Sequence, residues 1–516
     1  MWEKEKVIPD IFFNNSKISL QEFDNNVKKI ATVLLSKSLK AGDVIAILLR
    51  NDVRQFELIE ACRYLEITFV PLNWHSTGTE LQHILSDSKA SLLIAHADLA
   101  SAAVSEFSGE LNILVYPTPD NILVSYNIQK PDEILPDKRC EDITILLENA
   151  VPITTSIKPF RGMFSYTSGS TGRPKGIQRQ VNQAQPDLYR VYEGLARTLM
   201  QLEKGDRYYI TAPTYHSAPN ALSLCCFAAR DVDIYIEVKF AAEKFLADIE
   251  RYHITHTYIV PTMMIRLLKL PKEVKEKYNI SSLKFAISSG SAWPADVKKA
   301  MIDWFGPIFY ESYGASEIGF MTLISSDEAL EKPGSVGKIL PGGSIKIVDD
   351  DNNELAVGES GSIYVYLPMF GDFVYTNSAA NGSEERYQGH TTVGDIGYLD
   401  ADGYLYINDR KKDMIISGGA NIFPAEIEAA MFDMPQILDC AVFGIPDKEY
   451  GEKVVAAVAC QVGQSLNLEQ LHAFLEGKIS RFKHPRQLDL HNSLPREDSG
   501  KVFKQRLKAR YYSLPA

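Results

Sequence analysis

Short apolar runs recur along the first part of the chain, and stretches of helical pattern separate them. Val44 to Leu49 is almost continuously apolar, and Thr68-Phe69-Val70, Ser91 to Ala95, Tyr208 to Ala212, Asp233 to Ile236, Thr257 to Val260 and Phe285 to Ser288 repeat that texture. A strand that is apolar along its whole length is buried on both faces. Strands alternating with helices pair in parallel, with helices covering both sides of the sheet. The first helix has a clear start. Ser19-Leu20-Gln21-Glu22 has capping-box spacing, and Phe23, Val27, Ile30, Ala31 and Leu34 then fall on one helical face.

The texture changes between Gly334 and Tyr406. Short strands such as Ser344 to Val348 and Ser362 to Tyr366 lie among turn signals at Asp350-Asp351-Asn352-Asn353, Gly358-Glu359 and Asp402-Gly403, which predicts a small β-rich subdomain. The polar run Asp409 to Asp413 reads as a solvated linker. Beyond it mixed α/β patterning returns, with Pro424 at the first turn of a helix through Ile427 and Met431, and strands at Cys440 to Phe443 and Val454 to Ala459. A chain of 516 residues exceeds one ordinary core. The expected division is 1–408, a short joint at 409–413, and a C-terminal domain at 414–516.

Charge and cysteine content narrow the function class. A net charge of -12 argues against a protein that wraps nucleic acid. No uninterrupted apolar stretch is long enough for an integral membrane segment, and Met1 to Lys6 lacks a secretion-signal pattern. Cys62, Cys140, Cys225, Cys226, Cys440 and Cys460 are scattered without a CxxC pair, as expected of reduced thiols in a cytoplasmic protein. His253 and His256 have no ligating neighbour in sequence and read as structural.

The strongest local signal is Tyr166-Thr167-Ser168-Gly169-Ser170-Thr171-Gly172-Arg173-Pro174-Lys175-Gly176. Glycines let backbone N–H groups converge on phosphate oxygens, the hydroxyls of Thr167, Ser168, Ser170 and Thr171 add donors, and Lys175 adds a cation. No Gly-Lys-Ser/Thr closes the run, so it is not a Walker A loop. A flexible Ser/Gly linker is the competing reading. The apolar Gly162-Met163-Phe164 ahead of the run and Pro174-Lys175-Gly176 after it favour phosphate binding.

This loop resembles the first signature of the adenylate-forming acyl-CoA synthetases, acyl and aryl ligases and adenylation domains, and the resemblance continues in order to the C-terminus. Ala212-Pro213-Thr214-Tyr215-His216-Ser217-Ala218-Pro219 is similar to the segment near the acyl pocket, and Ser289-Gly290-Ser291-Ala292 to the segment beside adenine. Tyr313-Gly314-Ala315-Ser316-Glu317 is similar to the Tyr-Gly-x-Thr-Glu motif, with serine in place of threonine. Thr392 to Tyr398 and Asp409 to Asp413 resemble the ribose and hinge motifs. Ser417 to Glu428 resembles the start of the mobile C-terminal domain, and Leu494-Pro495-Arg496 with Ser499-Gly500-Lys501 the final lysine motif.

The resemblance implies a large N-terminal domain of two α/β subdomains plus a β-barrel-like piece, followed by a small mobile α+β domain. It implies ATP and Mg²⁺ as cofactors, a small-molecule carboxylic acid as substrate, and CoA or a carrier-protein phosphopantetheine as acceptor. A medium- or long-chain fatty acid and CoA are favoured. Nucleotide contacts fall on Thr167 to Gly172, Lys175, Ser289, Gly290, Ser291, Glu311, Ser312, Tyr313, Gly314, Ala315, Ser316, Asp395, Arg410 and Lys501. Glu317 is the implied metal ligand and Lys501 the cation of the adenylation step. Thr167 and His216 complete the implied catalytic set, and His216 either lines the pocket, gates the thiol or is structural. Lys412 matches the hinge, and Gly418, Gly419 and Asn421 the thiol-facing segment. Ala218, Gly290, Gly314 and Gly319 either leave a deep acyl pocket or serve close backbone packing. Trp293 departs from the small residue usual at its position. A relative that only binds nucleotide is the alternative from another class.

Overall fold

A computed structural model describes residues 9–76, 78–106, 111–129, 139–167, 174–180, 186–291, 293–376, 386–418, 420–496 and 502–512. The chain divides into two compact units. One comprises Met1–Gly290, Ala300–Met321 and Leu367–Glu384, the other Ser291–Lys299, Thr322–Tyr366 and Glu385–Ala516.

The first unit is built on two parallel sheets. One runs Phe309–Glu311, Phe285–Ser288, His256–Tyr258, Arg207–Ile210, Asp233–Ile236 and Asp10–Phe13, all parallel, with Ser16–Ser19 added antiparallel. The other runs Thr68–Pro71, Val44–Leu48, Leu92–His96, Asn112–Tyr116 and Cys140–Asp142, parallel throughout. The Val44–Leu48 and Leu92–His96 strands are buried along their full length, as their unbroken apolar sequence requires. Helix Leu20–Ser36 starts where expected, with the Ser19 hydroxyl accepting from Glu22 N. A small antiparallel sheet, Phe373–Tyr375, Lys175–Arg179 and Ser165–Thr167, completes this unit.

The second unit holds the β-rich piece and the C-terminal α/β piece. Ser344–Val348, Gly361–Tyr366, His390–Leu399 and Arg386–Tyr387 form one antiparallel sheet, and Leu405–Arg410 pairs with His390–Leu399. Ala420–Ile422, Ile415–Ser417, Gly451–Cys460 and Ile437–Asp447 form another, with Gln487–His491 parallel to Gly451–Cys460. Helix Pro424–Phe432 begins on its proline, whose missing N–H costs nothing there. All six cysteines are free thiols.

At the amino end of the first sheet, His256 is 1% exposed and its Nδ1 lies 2.8 Å from the Thr255 hydroxyl and 3.7 Å from an Asp206 oxygen. Lys284 Nζ reaches the other Asp206 oxygen at 2.8 Å. Burial lowers the imidazole to about 4, against the opposing pull of Asp206. An unfolded histidine takes its proton near 6.5, before the folded one does, so this site contributes stability above that pH and loses it as pH falls toward 4. His256→Gln is expected to remove about 2 kcal/mol of the stability difference between about pH 7 and about pH 5, read from urea midpoints. An unchanged pH dependence would contradict the assignment.

Candidate active site

Loops that leave the carboxyl ends of adjacent parallel strands carry much of the implied site, the usual place for ligands in such sheets. Phe309–Glu311 runs into Ser312 and Tyr313, and Phe285–Ser288 into Ser289 and Gly290. Arg207–Ile210 leads through Thr214 to His216. Glu311, Ser289 and Ser312 are buried, Ser312 N donates to Ser288 O at 2.9 Å, and the Tyr258 hydroxyl donates to Ser289 O at 2.7 Å. Ser291 belongs to the second unit.

The Tyr-Gly motif folds as a hairpin, with Gly314–Ala315 paired to Gly319–Phe320. A Cβ on Gly314 would lie 2.6 Å from Gly319 O, and one on Gly319, at φ +100°, would strike the Phe370 ring. Both glycines therefore permit close packing of the turn that presents Ser316 and Glu317. Beside Gly290 there is room: the nearest atom to a Cβ is the Tyr258 hydroxyl at 3.8 Å. The Ser316 hydroxyl lies 2.9 Å from that of Ser217 at the start of helix Ser217–Ala229, on which Ala218 is half-buried.

Two residues that the sequence reading missed hold this turn. Arg179 donates to Ser316 O at 3.0 Å and to Glu317 O at 3.3 Å, with its guanidinium 5.0 Å from the Phe370 ring centre. Burial keeps its pKa below the usual arginine value, against the pull of Tyr192 and Glu317. The Tyr375 hydroxyl donates to Glu317 Oε1 at 3.2 Å, and Lys175 Nζ lies 5.1 Å from the Tyr375 ring centre. Arg179 had a faint signal, since it shares a strand face with Lys175. Tyr375 is remote in sequence and had none.

Lys175 pairs with Thr167 across the hairpin Ser165–Thr167 and Lys175–Arg179, so the two ends of the glycine- and hydroxyl-rich segment are adjacent. Ser168, Gly169, Ser170, Thr171 and Gly172 lie outside the described residues, as does the Thr167 side chain.

The Thr214 to His216 stretch is fixed by buried amides. Asn51 accepts from Thr214 N at 2.9 Å and donates to Ala212 O at 3.0 Å, Gln55 donates to Thr214 O at 3.1 Å, and Asn220 donates to the same oxygen at 2.8 Å. His216 is half-buried, its ring centre 4.2 Å from that of Tyr215. Asn51 and Gln55 are bonded through both amide atoms, and such satisfied buried amides define one conformation for the loop.

In the second unit Asp395 and Arg410 are cross-strand partners, with Arg410 Nε 3.3 Å from Asp395 Oδ1. Of the polar run expected to be a solvated linker, Lys411 and Lys412 are exposed, while Asp409 and Arg410 belong to a strand. Asp409 and Arg410 end strand Leu405–Arg410, and Lys412 sits in the tight turn before Ile415–Ser417. Asp409 accepts from Ala425 N at 2.9 Å at the start of helix Pro424–Phe432, and burial raises its carboxyl. Gly418 N donates to Tyr450 O at 2.8 Å, and Asn421 is exposed in strand Ala420–Ile422. Gly419 and Lys501 lie outside the described residues.

Among the described residues no group of three or more His, Cys, Asp or Glu side chains is placed to hold a metal by itself. A single carboxylate such as Glu317 nevertheless fits Mg²⁺, which takes few protein ligands and completes its shell with phosphate oxygens and water. No helix of the described residues is long and apolar enough to cross a membrane.

The profile of the AMP-binding enzyme family matches residues 3–370, and that of the AMP-binding enzyme C-terminal domain matches residues 426–501. An indoleacetate–CoA ligase of Aromatoleum aromaticum is 28% identical over 96% of this chain and 93% of its own length. A fatty acid–[acyl-carrier-protein] ligase, ScoC, of Streptomyces coeruleorubidus is 27% identical over 99% of this chain and 95% of its own. Among solved structures, the Bacillus subtilis O-succinylbenzoate coenzyme A synthetase in complex with ATP and magnesium ion superposes with a TM-score of 0.79 at 25% identity, covering 96% of each chain.

Proposed function

We propose, for a chain that belongs to the AMP-binding enzyme family, that it joins a carboxylic acid to CoA through an acyl-adenylate. A carboxylate oxygen attacks the α-phosphorus of ATP and the bond to the β-phosphate breaks, releasing pyrophosphate. The thiol sulfur then attacks the acyl carbon and the bond to AMP breaks. The observation that carries this reading is the junction of Lys175, Tyr375 and Glu317 beside the phosphate hairpin. A cation, a hydroxyl and a carboxylate together suit a polyphosphate and its counter-ion.

Within that scheme Glu317 would hold Mg²⁺, which when bound neutralises charge on the phosphates. Lys175 and the N–H groups of the loop hold phosphate oxygens. Asp395 accepts from the ribose hydroxyls, with Arg410 donating to the same sugar. Lys501 donates where charge gathers on the α-phosphoryl oxygens. Lys412 serves as the pivot between the half-reactions, with the division at 409–413.

CoA is preferred over a carrier protein because a cation stands beside the thiol-facing turn. The Arg486 guanidinium lies 3.9 Å from the Tyr450 ring centre, and Tyr450 in turn binds Gly418 N. Arg486→Ala is expected to raise KM for CoA about fivefold, the loss of roughly one exposed ion pair, and to leave ATP–pyrophosphate exchange unchanged. An unaltered KM for CoA would favour carrier-protein loading.

The acid is taken as a medium- or long-chain fatty acid, supported by the open space beside Gly290. Phe370 filling the side of Gly319 favours a second reading, a flat aryl acid. Pyrophosphate release with octanoate, dodecanoate and palmitate against benzoate and cinnamate separates the two. Thioester yield with free CoA against a holo carrier protein identifies the acceptor. Failure of every acid with both acceptors would overturn the proposal.

A further inference from the structure

Helix Gly78–Asp87 grips the phosphate hairpin through two side chains one helical turn apart. Asp87 Oδ2 accepts from the Tyr166 hydroxyl at 2.7 Å and also from the Thr376 hydroxyl. His83 Nε2 lies 2.9 Å from Pro174 O. A carbonyl oxygen only accepts, so that ring nitrogen carries the hydrogen. Tyr166 lies in the strand entering the loop, and Pro174 is the last residue before the strand that leaves it. One helix therefore holds both ends of the loop.

The packing around these ties is close. Thr376 N donates to Gly176 O at 3.0 Å, and a Cβ on Gly176 would meet Thr376 Oγ1 at 2.7 Å, Phe164 at 2.8 Å and Tyr166 at 2.9 Å. Burial, and then Asp87, push the Tyr166 hydroxyl well above the usual tyrosine value, so it remains a donor.

We propose that His83 and Asp87 are positioning residues that preorganise the phosphate loop for ATP, an inference that rests on the adenylation reading. Ordering glycines and small hydroxyl residues around a phosphate costs backbone entropy in any chain. Tying the loop's entry and exit to one rigid helix removes part of that cost before the nucleotide arrives. Neither side chain has to touch ATP for this to act.

The test uses the full chain and its Asp87→Ala, His83→Ala and Asp87→Asn variants. Kd for ATP is measured by calorimetry without turnover, alongside KM for ATP, acid and CoA and the melting temperature. Asp87→Ala is expected to weaken ATP binding about tenfold and His83→Ala about fivefold, with KM for acid and CoA unchanged. Asp87→Asn keeps an acceptor oxygen and is expected to recover most of the loss. The Ala–Ala double variant is expected to lose less than the product of the two, since both act on one loop. An ATP Kd within twofold of the parent in both alanine variants would overturn the proposal. So would equal losses for ATP, acid and CoA that follow the melting temperature, or a parent that binds no ATP. A parent that binds ATP but shows no acid-dependent exchange would sink the adenylation reading while leaving the clamp to be judged on the Kd values.

Discussion

Lys501→Ala is expected to slow acyl-adenylate formation by about 10²–10³ while conversion of supplied acyl-adenylate to thioester stays within a few-fold of the parent. The asymmetry follows from where charge accumulates. When a carboxylate attacks a phosphoryl group, two anions meet and negative charge gathers at the α-phosphorus. One fixed cationic donor there supplies roughly 3–4 kcal/mol. In the second step the reacting centre is the acyl carbon, and in the proposed scheme the chain pivots at Lys412 between the two steps, so Lys501 serves the first and matters little in the second. The base of the lysine loop is well anchored. Arg496 bridges to Val502, Phe503 N donates to Pro495 O at 2.9 Å, and Arg496 Nε binds Asp439 at 2.8 Å. Just beyond, Lys504 pairs with Glu428 at 2.8 Å; burial pulls its pKa down, but Glu428 and Asp409 outweigh it and keep the ammonium charged. The alanine variant should therefore fold, and rapid-quench measurement of each half-reaction decides. Equal loss in both would refute the role.

Glu317→Gln is expected to lower the adenylation rate by about 10²–10³ and to raise the Mg²⁺ concentration needed for half-maximal rate. An amide is isosteric and still accepts from the Tyr375 hydroxyl, but it lacks the charge that a hard cation prefers. The backbone of this turn is held separately by Arg179, so the substitution leaves its shape in place. Titration of rate against free Mg²⁺ reads the effect. An unchanged Mg²⁺ dependence would show that the carboxylate serves only the turn.

Much of the fold was legible because local signals and tertiary burial agree. Asp233–Ile236 and Phe285–Ser288 sit where their apolar runs place them, since a strand covered on both faces leaves no polar interruption. Ser19 and Pro424 mark their helix starts through backbone chemistry within one turn of the chain. Asp395 and Arg410 were identified as residues, and their cross-strand pairing appears only when two strands are set side by side. The supporting groups were illegible for the same reason. Asn51 and Gln55 are remote from Thr214 in sequence, Tyr375 is remote from Glu317, and Asp87 is remote from Thr376. Asp409 misled because charge in a short polar run usually means solvent, and here the carboxylate accepts from a helix N-terminus brought to it by the turn at Lys412.

The central claim is that this chain makes an acyl-adenylate, and acid-dependent exchange of labelled pyrophosphate into ATP tests it without any thiol acceptor. With Mg²⁺ and a suitable carboxylic acid, label is expected to enter ATP in the parent, and to enter about 10²–10³ more slowly in Lys501→Ala. No exchange with any fatty or aryl acid, from protein that binds ATP, would contradict the account.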